Sequence, residues 1–379
     1  MAMTVRALGR ATLARQLLLE RASLDVVDAV GRLVALQAQH PASPYLALWN
    51  RLDGFDPADL DAAFAERTLV KATLMRITLH AVPAADYPRW QQAMQPTLRA
   101  SRLNDRRFRV TGLGHADAEA AIPALLDYLD TPRSGPDCEA WLTERHGAPM
   151  KGLWWALRQF APVQHAPTGP PWSFGLRPAH VAAADPPGIA DDDTAAAALA
   201  ALFRRYVAAF GPVSMPDFAQ FAMLYRAPAR AAVDAVADEL TRLDGPGGTV
   251  LYDLPGAPRP DEDVPAPPRL LAMWDSVLLV HADRGRVIPP EFRKLITRSN
   301  GDTLPTLLVD GFVAGVWRPV DDGIEATAFR PLSAAEWDGL AKEAAALSAL
   351  LAERDPTVYR RYDRWWAGLP AAEVRVLPR

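Results

Sequence analysis

Residues 69–82 have the sequence LVKATLMRITLHAV, and this stretch decides the fold that we predict. It is rich in β-branched residues and alternates in part between apolar and polar side chains, which is typical of a strand or a β-hairpin. Helical patterns come before it: one near residues 13–18, a second over residues 24–38 that ends before Pro41, and a short one at residues 57–66. Helices followed by a short hairpin are the order of elements in a winged helix.

The same order of elements returns in the next part of the chain. Helical patterns cover residues 117–129, 138–146 and 151–160, and the middle one stops at a glycine. Two short β-like pieces around a Pro/Gly turn follow within residues 162–176. Residues 182–193 are low in complexity, and we expect a linker there.

A third round begins after that linker. Residues 195–210 and 229–243 have helical patterns, and between them a short helix over residues 214–221 has Ser214 as its cap. A glycine-rich turn then leads into a strand at residues 249–254.

The composition changes after a proline-rich linker at residues 255–268, and the rest of the chain predicts a mainly β module closed by two helices. Its strand-like segments are residues 277–280, 286–288, 306–309 and 312–317, with a tight turn at Asp310-Gly311, and its helices are residues 333–353 and 356–366. The predicted fold class is therefore α+β, mainly helical, with tandem winged-helix units followed by a small β module and C-terminal helices. The expected units are residues 1–115, 116–190 and 191–256 for the three winged helices, and residues 269–379 for the β-rich module.

Composition limits the classes of function. Of the 379 residues, 50% are hydrophobic and 23% are charged, which is typical of a globular protein with ample core. The formal net charge of −4 argues against a protein held on nucleic acid by bulk charge, so DNA binding would need a local basic patch. Lysine is scarce, and a Schiff-base mechanism therefore has few candidate nucleophiles. The four lysines are Lys71, Lys151, Lys294 and Lys342.

Cysteine and histidine usage gives no metal signature. Cys138 is the one cysteine, so the chain has neither an internal disulfide nor a thiolate zinc site, and the seven histidines form no helical i, i+4 pair. We expect no metal and no cofactor. The N-terminus lacks the apolar region of a signal peptide, and no apolar run approaches the roughly 20 residues of a membrane helix. We expect a cytoplasmic protein that does not enter a membrane and acts as a monomer.

The string LVALQAQHP, residues 33–41, joins an apolar helix end to a proline and places two glutamines around one small residue. If the helix frays at Gln37, alternation directs the amides of Gln37 and Gln39 to the same side, where the pair could hold one water. The alternative is a solvated helix cap without chemistry, which is the more usual meaning of such a tripeptide.

The surrounding strings resemble the AlkZ-like family of winged-helix DNA glycosylases over nearly the whole chain. The strings that carry the resemblance are RALGRATLARQLLLERA, LVALQAQ, PYLALWNRL and LVKATLMRITLHAV within residues 5–90, and WDSVLLVHADRGRVI and LLVDGFVAGVWR further on. The resemblance implies tandem winged helices with a β module. It also implies that a Gln–apolar–Gln catalytic motif falls on Gln37, Ala38 and Gln39; a related branch has Asp at the last position, and this chain does not.

The resemblance implies a monofunctional DNA glycosylase that releases cationic alkylated purines, N7-alkylguanine or N3-alkyladenine, from double-stranded DNA. Glutamine cannot take a proton and so is no general base. A cationic base leaves without being protonated, and the enzyme then needs only to place a water and stabilise positive charge on the sugar, which amide oxygens can do. The family also implies bulky natural-product adducts, interstrand crosslinks and antibiotic self-resistance. A crosslinked base cannot rotate out fully, so an open cleft is expected.

A cluster of arginines supplies the candidate basic patch. Five arginines fall within residues 99–109, which favours phosphate contacts; the alternative is an ordinary solvated helix face. Positive and polar residues elsewhere are further candidates, although a fold-stabilising Asp–Arg contact is an equal interpretation of the string at residues 281–284. The candidate DNA-binding residues are Lys71, Arg76, Arg99, Arg102, Arg106, Arg107, Arg109, His281 and Arg284.

Two other functions fit the same elements. A winged-helix transcription regulator without catalysis would share the fold, because fold does not fix function. Three units in one chain, the low net charge and the lack of a separate sensor domain argue against it. A degenerate relative that binds adducts without cleaving them is the third possibility.

Overall fold

The computed structural model describes residues 2–378 and has an α+β fold, as predicted. Its helices are α1 (Val5–Arg15), α2 (Val26–Arg32), α3 (Ser43–Trp49), α4 (Pro57–Ala65), α5 (Tyr87–Leu103), α6 (Arg106–Arg109), α7 (His115–Ala120), α8 (Ile122–Tyr128), α9 (Gly135–His146), α10 (Lys151–Phe160), α11 (Asp192–Phe210), α12 (Met215–Ala222), α13 (Arg226–Asp234), α14 (Arg293–Ile296), α15 (Ala334–Arg354) and α16 (Asp363–Trp366). Its strands are β1 (Leu36–Gln37), β2 (Leu69–Thr73), β3 (Leu79–Pro83), β4 (Arg133–Ser134), β5 (Val163–Ala166), β6 (Ala179–Ala182), β7 (Thr241–Asp244), β8 (Val250–Asp253), β9 (Arg269–Leu271), β10 (Thr306–Val309), β11 (Phe312–Val320), β12 (Gly323–Ala328) and β13 (Glu373–Pro378).

The strands form three sheets. The largest has the order β1-β3-β2-β5-β6-β4, so two hairpins that come from separate parts of the chain join edge to edge. The join is the antiparallel pairing of Lys71 with His165. A five-stranded sheet has the order β13-β12-β11-β10-β9, and β7 and β8 form a hairpin by themselves. Each of the first three helical segments thus ends in a hairpin, and β1 lies at an edge of the largest sheet.

Several predicted elements are confirmed where local chemistry is strong. Helix α10 and strand β10 have the predicted bounds. Asp310 and Gly311 both have positive φ, 50° and 82°, as the tight turn of a hairpin requires. Ser214 caps α12 by accepting from the Asp217 amide, while the Asp217 carboxylate accepts from the Ser214 amide.

The predicted helix over residues 24–38 is wrong at its C-terminal end. Helix α2 ends at Arg32, and Val34 has a left-handed backbone with φ of 70°. Residues 36–37 are strand β1 instead, paired with β3. The apolar run there has the helical spacing, but the pairing with a neighbouring strand determines its conformation.

The predicted strands at residues 277–280 and 286–288 are also wrong. Short 3-10 turns occupy Ser276–Leu278 and Arg284–Arg286. In each turn an aspartate just before it accepts from a backbone amide: Asp275 from Val277, and Asp283 from Gly285. Such side-chain bonds to the local backbone compete with strand pairing.

Two predicted helices are shorter than expected. Helix α13 ends at Asp234, and residues 241–243 of the predicted helix instead belong to β7, which pairs with β8. The predicted helix over residues 356–366 is reduced to a 3-10 turn and α16, because Tyr359 has a φ of 65° that breaks it. The second β-like piece expected within residues 162–176 lies further along the chain, at β6.

The largest sheet separates two hydrophobic cores. On one side, Leu69 and Ala81 belong to a core formed with α1–α4, the five-stranded sheet and the closing helices. On the other side, Val70 and Val82 belong to a core formed with α5–α13. Successive residues of a strand point to opposite faces, and both faces of this hairpin are therefore covered. Residues from the first predicted unit contribute to both cores.

Fully buried ion pairs connect these regions. Arg15 of α1 contacts Asp253 of β8 through two nitrogen–oxygen contacts of 2.7 and 2.9 Å. Arg51, just after α3, contacts Asp275 in the same way, at 2.7 Å for both. Each pair joins the N-terminal region to a segment more than 200 residues away in the chain.

No helix within residues 2–378 combines the length and apolar character needed to span a membrane.

Candidate active site

Gln37 and Gln39 lie in an extended segment at the edge of the largest sheet. In the register of β1 with β3, Gln37 lies opposite His80, and the Ala38 amide donates to the Leu79 carbonyl at 2.8 Å. The register places the Gln37 side chain on the face of the sheet opposite to Lys71, and Gln39 follows in a bend just after the strand. Gln37 is buried and Gln39 is exposed, so the pair extends from the interior to the surface. The Gln39 Oε1 accepts from the Leu79 amide at 3.4 Å.

Arg76 holds the carboxamide of Gln37. Its Nη2 donates to the Gln37 Oε1 at 2.5 Å and to the His80 Nε2 at 3.3 Å. Its Nη1 donates to the carbonyl of Phe221, at the end of α12, at 3.1 Å. Burial lowers the pKa of the Arg76 guanidinium to about 10, with a further contribution from the nearby charge of Arg284. The guanidinium stays charged at neutral pH.

His80 is a neutral acceptor in this cluster. Its Nδ1 lies 3.0 Å from the carbonyl of Thr78, and because a carbonyl can only accept, Nδ1 carries the hydrogen. The other ring nitrogen, Nε2, is then free to accept from Arg76. Burial, followed by the charge of Arg76, lowers the pKa of His80 to about 3, so the ring is uncharged at neutral pH and carries only the Nδ1 hydrogen.

The turn that carries Arg76 has an unusual backbone. Residues 75–78 join β2 to β3, and the two central residues, Arg76 and Ile77, both have positive φ, 53° and 57°. A turn of this kind favours Asn-Gly, because side chains with a Cβ, and β-branched ones above all, rarely adopt a left-handed backbone. The sequence thus keeps an arginine at this turn despite the conformational strain.

A large cleft includes this turn in its lining. It has a volume of about 1600 Å³ and is lined by Arg76, Ile77 and residues of α5, α11, α12 and α13, but by neither Gln37 nor Gln39. Most of its lining is small and apolar, and Asn104 and Arg226 are among the polar residues in it. The cleft and the Gln37 carboxamide thus both adjoin the Arg76 side chain.

The arginines of residues 99–109 differ in their exposure to solvent and in whether they contact a carboxylate or an aromatic ring. Arg106 and Arg109, on α6, are exposed. Arg107 is also exposed, and its guanidinium lies 4.8 Å from the Trp155 ring centroid, as does that of Arg102. Arg99 forms an ion pair with Glu119. The cluster presents positive charge to solvent mainly through α6.

Lys71 and His281 are buried and have no surface to offer to a phosphate. Lys71 is 4% exposed, on the face of the sheet opposite to the glutamines, and its Nζ lies 4.5 Å from the Phe174 ring centroid. Its burial lowers its pKa to about 8. His281 is 1% exposed, and its Nε2 donates to the Phe210 carbonyl at 3.3 Å. The expected phosphate contacts of these two residues are inconsistent with their burial.

Arg284 is close enough to Arg76 for its positive charge to lower the pKa of the Arg76 guanidinium. The Arg284 Nε and Nη1 groups are enclosed and donate to no other group within residues 2–378. Burial lowers the pKa of Arg284 to about 10, with a further contribution from Arg293. Neither Arg76 nor Arg284 forms an ion pair with a carboxylate in the described residues, so the two make a local positive site next to Gln37.

Sequence patterns did not predict that Arg76 contacts both Gln37 and His80. His80 lies inside the string that decides the fold, yet a lone histidine in a strand carries no signal of its role. Arg76 was expected to contact phosphate, whereas its guanidinium is turned inward to Gln37. The one usable signal was Arg76-Ile77 at a hairpin turn that normally favours Asn-Gly.

The described residues bring together no group of three or more His, Cys, Asp or Glu side chains that could hold a metal ion. Cys138 is buried, and burial raises the pKa of its thiol to about 12, which makes it a poor nucleophile. The polar groups of the candidate site are the two carboxamides, Arg76, His80 and Arg284.

Comparisons with known proteins concern the chain as a whole. The family model described as "DNA glycosylase AlkZ-like" matches residues 30–350. A curated protein of Streptomyces sahachiroi, the interstrand DNA cross-link repair glycosylase, is 26% identical over 351 residues, which cover 87% of this chain and 92% of the relative. The solved structure of Streptomyces sahachiroi DNA glycosylase AlkZ is similar in fold, with a TM-score of 0.77 at 22% identity, over 92% of this chain and 96% of that one.

A family match over this much of the chain defines the class of protein: an enzyme of DNA base removal. The chain belongs to the AlkZ-like DNA glycosylase family.

Proposed function

We propose that this glycosylase hydrolyses the N-glycosidic bond of cationic alkylated purines, N7-alkylguanine and N3-alkyladenine, with water positioned by Gln37 and Gln39. The observation that carries the proposal is the contact of the Gln37 carboxamide with Arg76, a residue that lines the cleft, while the Gln39 carboxamide is held nearby by the Leu79 amide. A carboxamide held by several partners can serve as a fixed dipole, which is the property that electrostatic stabilisation requires.

The proposed reaction needs no general acid, because the leaving base does not have to be protonated. The bond between C1′ of the sugar and the purine nitrogen breaks, and its electron pair neutralises the positive charge of the alkylated base, which leaves. The sugar carries the resulting positive charge, water adds to C1′, and the water proton passes to solvent. Each amide oxygen has two lone pairs, so Gln37 can accept from Arg76 and still face the water or the sugar. One fixed hydrogen-bonding group of this kind contributes about 3 kcal/mol in a transition state.

This chemistry restricts the substrates. A neutral base such as uracil needs protonation or strong stabilisation of its anion, and carboxamides supply neither. The relative from Streptomyces sahachiroi is named for repair of interstrand crosslinks. We extend the proposal to bulky adducts and crosslinks, because the cleft beside Arg76 is open and large.

The DNA contacts that we propose combine the exposed arginines with the positive site. Arg106, Arg107 and Arg109 would hold the backbone, and Arg284 would face a phosphate near the lesion. Arg99 and Arg102 are weaker candidates, because Arg99 is paired with Glu119 and Arg102 is less exposed than Arg107, which lies at the same distance from the Trp155 ring. Lys71 and His281 are not included. We further propose that the three helical segments ending in hairpins are winged helices, with boundaries near residues 1–115, 116–190 and 191–256, followed by the β-rich module at 269–379.

The direct test is base release from DNA that contains one N7-methylguanine or one bulky N7 adduct. The unmodified protein is expected to release the modified base and leave an abasic site, whereas Gln37→Ala and Gln39→Ala should lower the single-turnover rate by about 100-fold each while DNA still binds. Uracil-containing DNA is the matched control and should stay intact. Sequence-specific binding without base release would instead support the transcription regulator.

A further inference from the structure

The carboxamide of Gln37 could turn either of its ends toward the reacting sugar, and Arg76 removes that freedom. From this contact we infer that Arg76 is a positioning residue for the proposed reaction: it selects and fixes the orientation of Gln37. The inference rests on the proposed function. It differs from the expectation of a simple phosphate contact, because it assigns to Arg76 an effect on rate that is exerted through Gln37.

The first step is the direction of the hydrogen bond. A guanidinium can only donate, so the atom of Gln37 that lies 2.5 Å from the Arg76 Nη2 must be the oxygen. The amide nitrogen of Gln37 therefore points away from Arg76. Without this donor, the two ends of the carboxamide would differ little in energy, and rotation of the amide would exchange acceptor and donor at the reaction site.

The second step is how firmly Arg76 itself is held. Its Nη1 is anchored by the Phe221 carbonyl, and its Nη2 is shared between Gln37 and the neutral Nε2 of His80. The guanidinium also lies 5.8 Å from the Phe221 ring centroid. A planar guanidinium can serve these three partners together, whereas an ammonium group on a flexible chain cannot.

The third step is the backbone beneath Arg76. Two consecutive left-handed residues, Arg76 and Ile77, form the turn from which the Arg76 guanidinium contacts Gln37. Conformational strain of this kind persists only where the surrounding structure maintains it, and it is concentrated at functional sites. An Asn-Gly turn would form the same hairpin with less strain but would remove the donor.

The test is a double-mutant cycle on the single-turnover release of N7-methylguanine. Arg76→Met and Arg76→Lys should each lower the rate by about 10- to 100-fold, as a misplaced group does. If Arg76 acts through Gln37, the double variant Arg76→Met with Gln37→Ala should be no slower than Gln37→Ala alone, within about threefold. If the two losses multiply instead, Arg76 acts independently and the inference is overturned.

Arg284→Met is the matched comparison, because Arg284 contributes charge near the site but has no contact with Gln37. Its loss of rate or affinity should multiply with that of Gln37→Ala. Arg375→Met, on the exposed strand β13, controls for the removal of a charge far from the site and should leave the rate unchanged.

A second variant separates positioning from folding. The double change Arg76→Asn with Ile77→Gly should give a midpoint of thermal unfolding no lower than that of the unmodified protein, and the same loss of rate as Arg76→Met. A lower midpoint together with full activity of the remaining folded protein would mean that Arg76 only stabilises the fold. Absence of base release by the unmodified protein would overturn the proposed function itself, which is a different outcome from a multiplicative cycle.

Discussion

Lys71 places a positive charge inside the protein, and no carboxylate within residues 2–378 forms an ion pair with it. The side chain is 4% exposed, and burial alone lowers its pKa from 10.5 to about 8. The contact of its Nζ with the Phe174 ring offsets part of the lost hydration, because the face of an aromatic ring attracts cations. At neutral pH the charged lysine therefore lowers the stability of the folded state.

Replacement of Lys71 by methionine should stabilise the protein in a pH-dependent way. Below pH 8 the lysine is protonated in both states, and the folded state carries the full penalty. Between pH 8 and 10.5 the folded state loses the proton before the unfolded state does, so the penalty declines as pH rises. We expect Lys71→Met to raise the free energy of unfolding by up to about 3 kcal/mol at pH 7, and the gain to shrink toward pH 10.

Urea unfolding of both proteins at pH 7 and pH 9.5 measures this difference, and Lys342→Met on α15, where the side chain is more exposed, is the control. A gain that is equal at the two pH values would contradict the assignment of the penalty to the charge of Lys71.

Lys71 also shows which residue roles a sequence can predict. Alternation places Lys71 and Gln37 on opposite faces of one sheet, but the sequence does not say that β1 pairs with β3, or that both faces are buried. The role of the glutamine pair was predicted from a surrounding string that resembles a family, and it stays a prediction. The contacts of Arg76 and His80 with Gln37 were not, since they depend on a register between segments about 40 residues apart.

At the scale of elements, the exposed arginines of α6 predict a dependence of DNA binding on salt. Each phosphate contact releases counterions, so the slope of log affinity against log salt concentration is about −0.9 for each contact. The triple change of Arg106, Arg107 and Arg109 to alanine should make this slope less negative by up to about 2.7 and weaken binding of all sequences alike.

Binding of undamaged duplex DNA from about 50 to 200 mM salt measures the slope. Arg99→Ala is the comparison within the same cluster. Its guanidinium is paired with Glu119, and its removal should change the slope less than that of one α6 arginine. An unchanged slope in the triple variant would mean that α6 presents an ordinary solvated face.

Elements whose ends are determined by local chemistry were predictable, and elements determined by distant pairing were not. Helices α12 and α15 begin at serine caps with a reciprocal acidic residue, and both starts were expected from sequence. Strand β7 was mistaken for helix because only its pairing with β8 distinguishes the two. Residues 36–37, after α2, were also predicted as helix, because only their pairing with β3 shows that they form a strand.

At the scale of the whole molecule, α1 contacts two segments that lie far from it in the sequence. Arg15 of α1 reaches Asp253 on β8, and Arg10 contacts Asp310 in the hairpin turn of the five-stranded sheet. Helix α1 thus contacts both the third hairpin and the β-rich module. These contacts, like the two cores on either side of the largest sheet, join segments from opposite ends of the sequence, and patterns along the chain carry no information about them.

The buried pair of Arg15 and Asp253 predicts a large loss of stability when one partner is removed. Asp253 is fully buried and accepts from both Nη atoms of Arg15. Asp253→Asn leaves the guanidinium buried beside a neutral amide, which should lower the free energy of unfolding by about 3–5 kcal/mol. Urea unfolding measures the loss. Glu239→Gln, which removes a solvent-exposed partner of Arg204, should cost far less, because water screens an exposed ion pair.

The cost should come from the unpaired charge rather than from the loss of the contact. Replacing both partners, Arg15→Met with Asp253→Leu, removes the pair together with its desolvation penalty, and a buried ion pair exchanged for apolar side chains is often neutral in stability. The double variant should therefore be more stable than Asp253→Asn alone. Equal losses in the two variants would show instead that the hydrogen-bonded geometry around Arg15, which includes the Val207 carbonyl, is what holds α1 against the third hairpin.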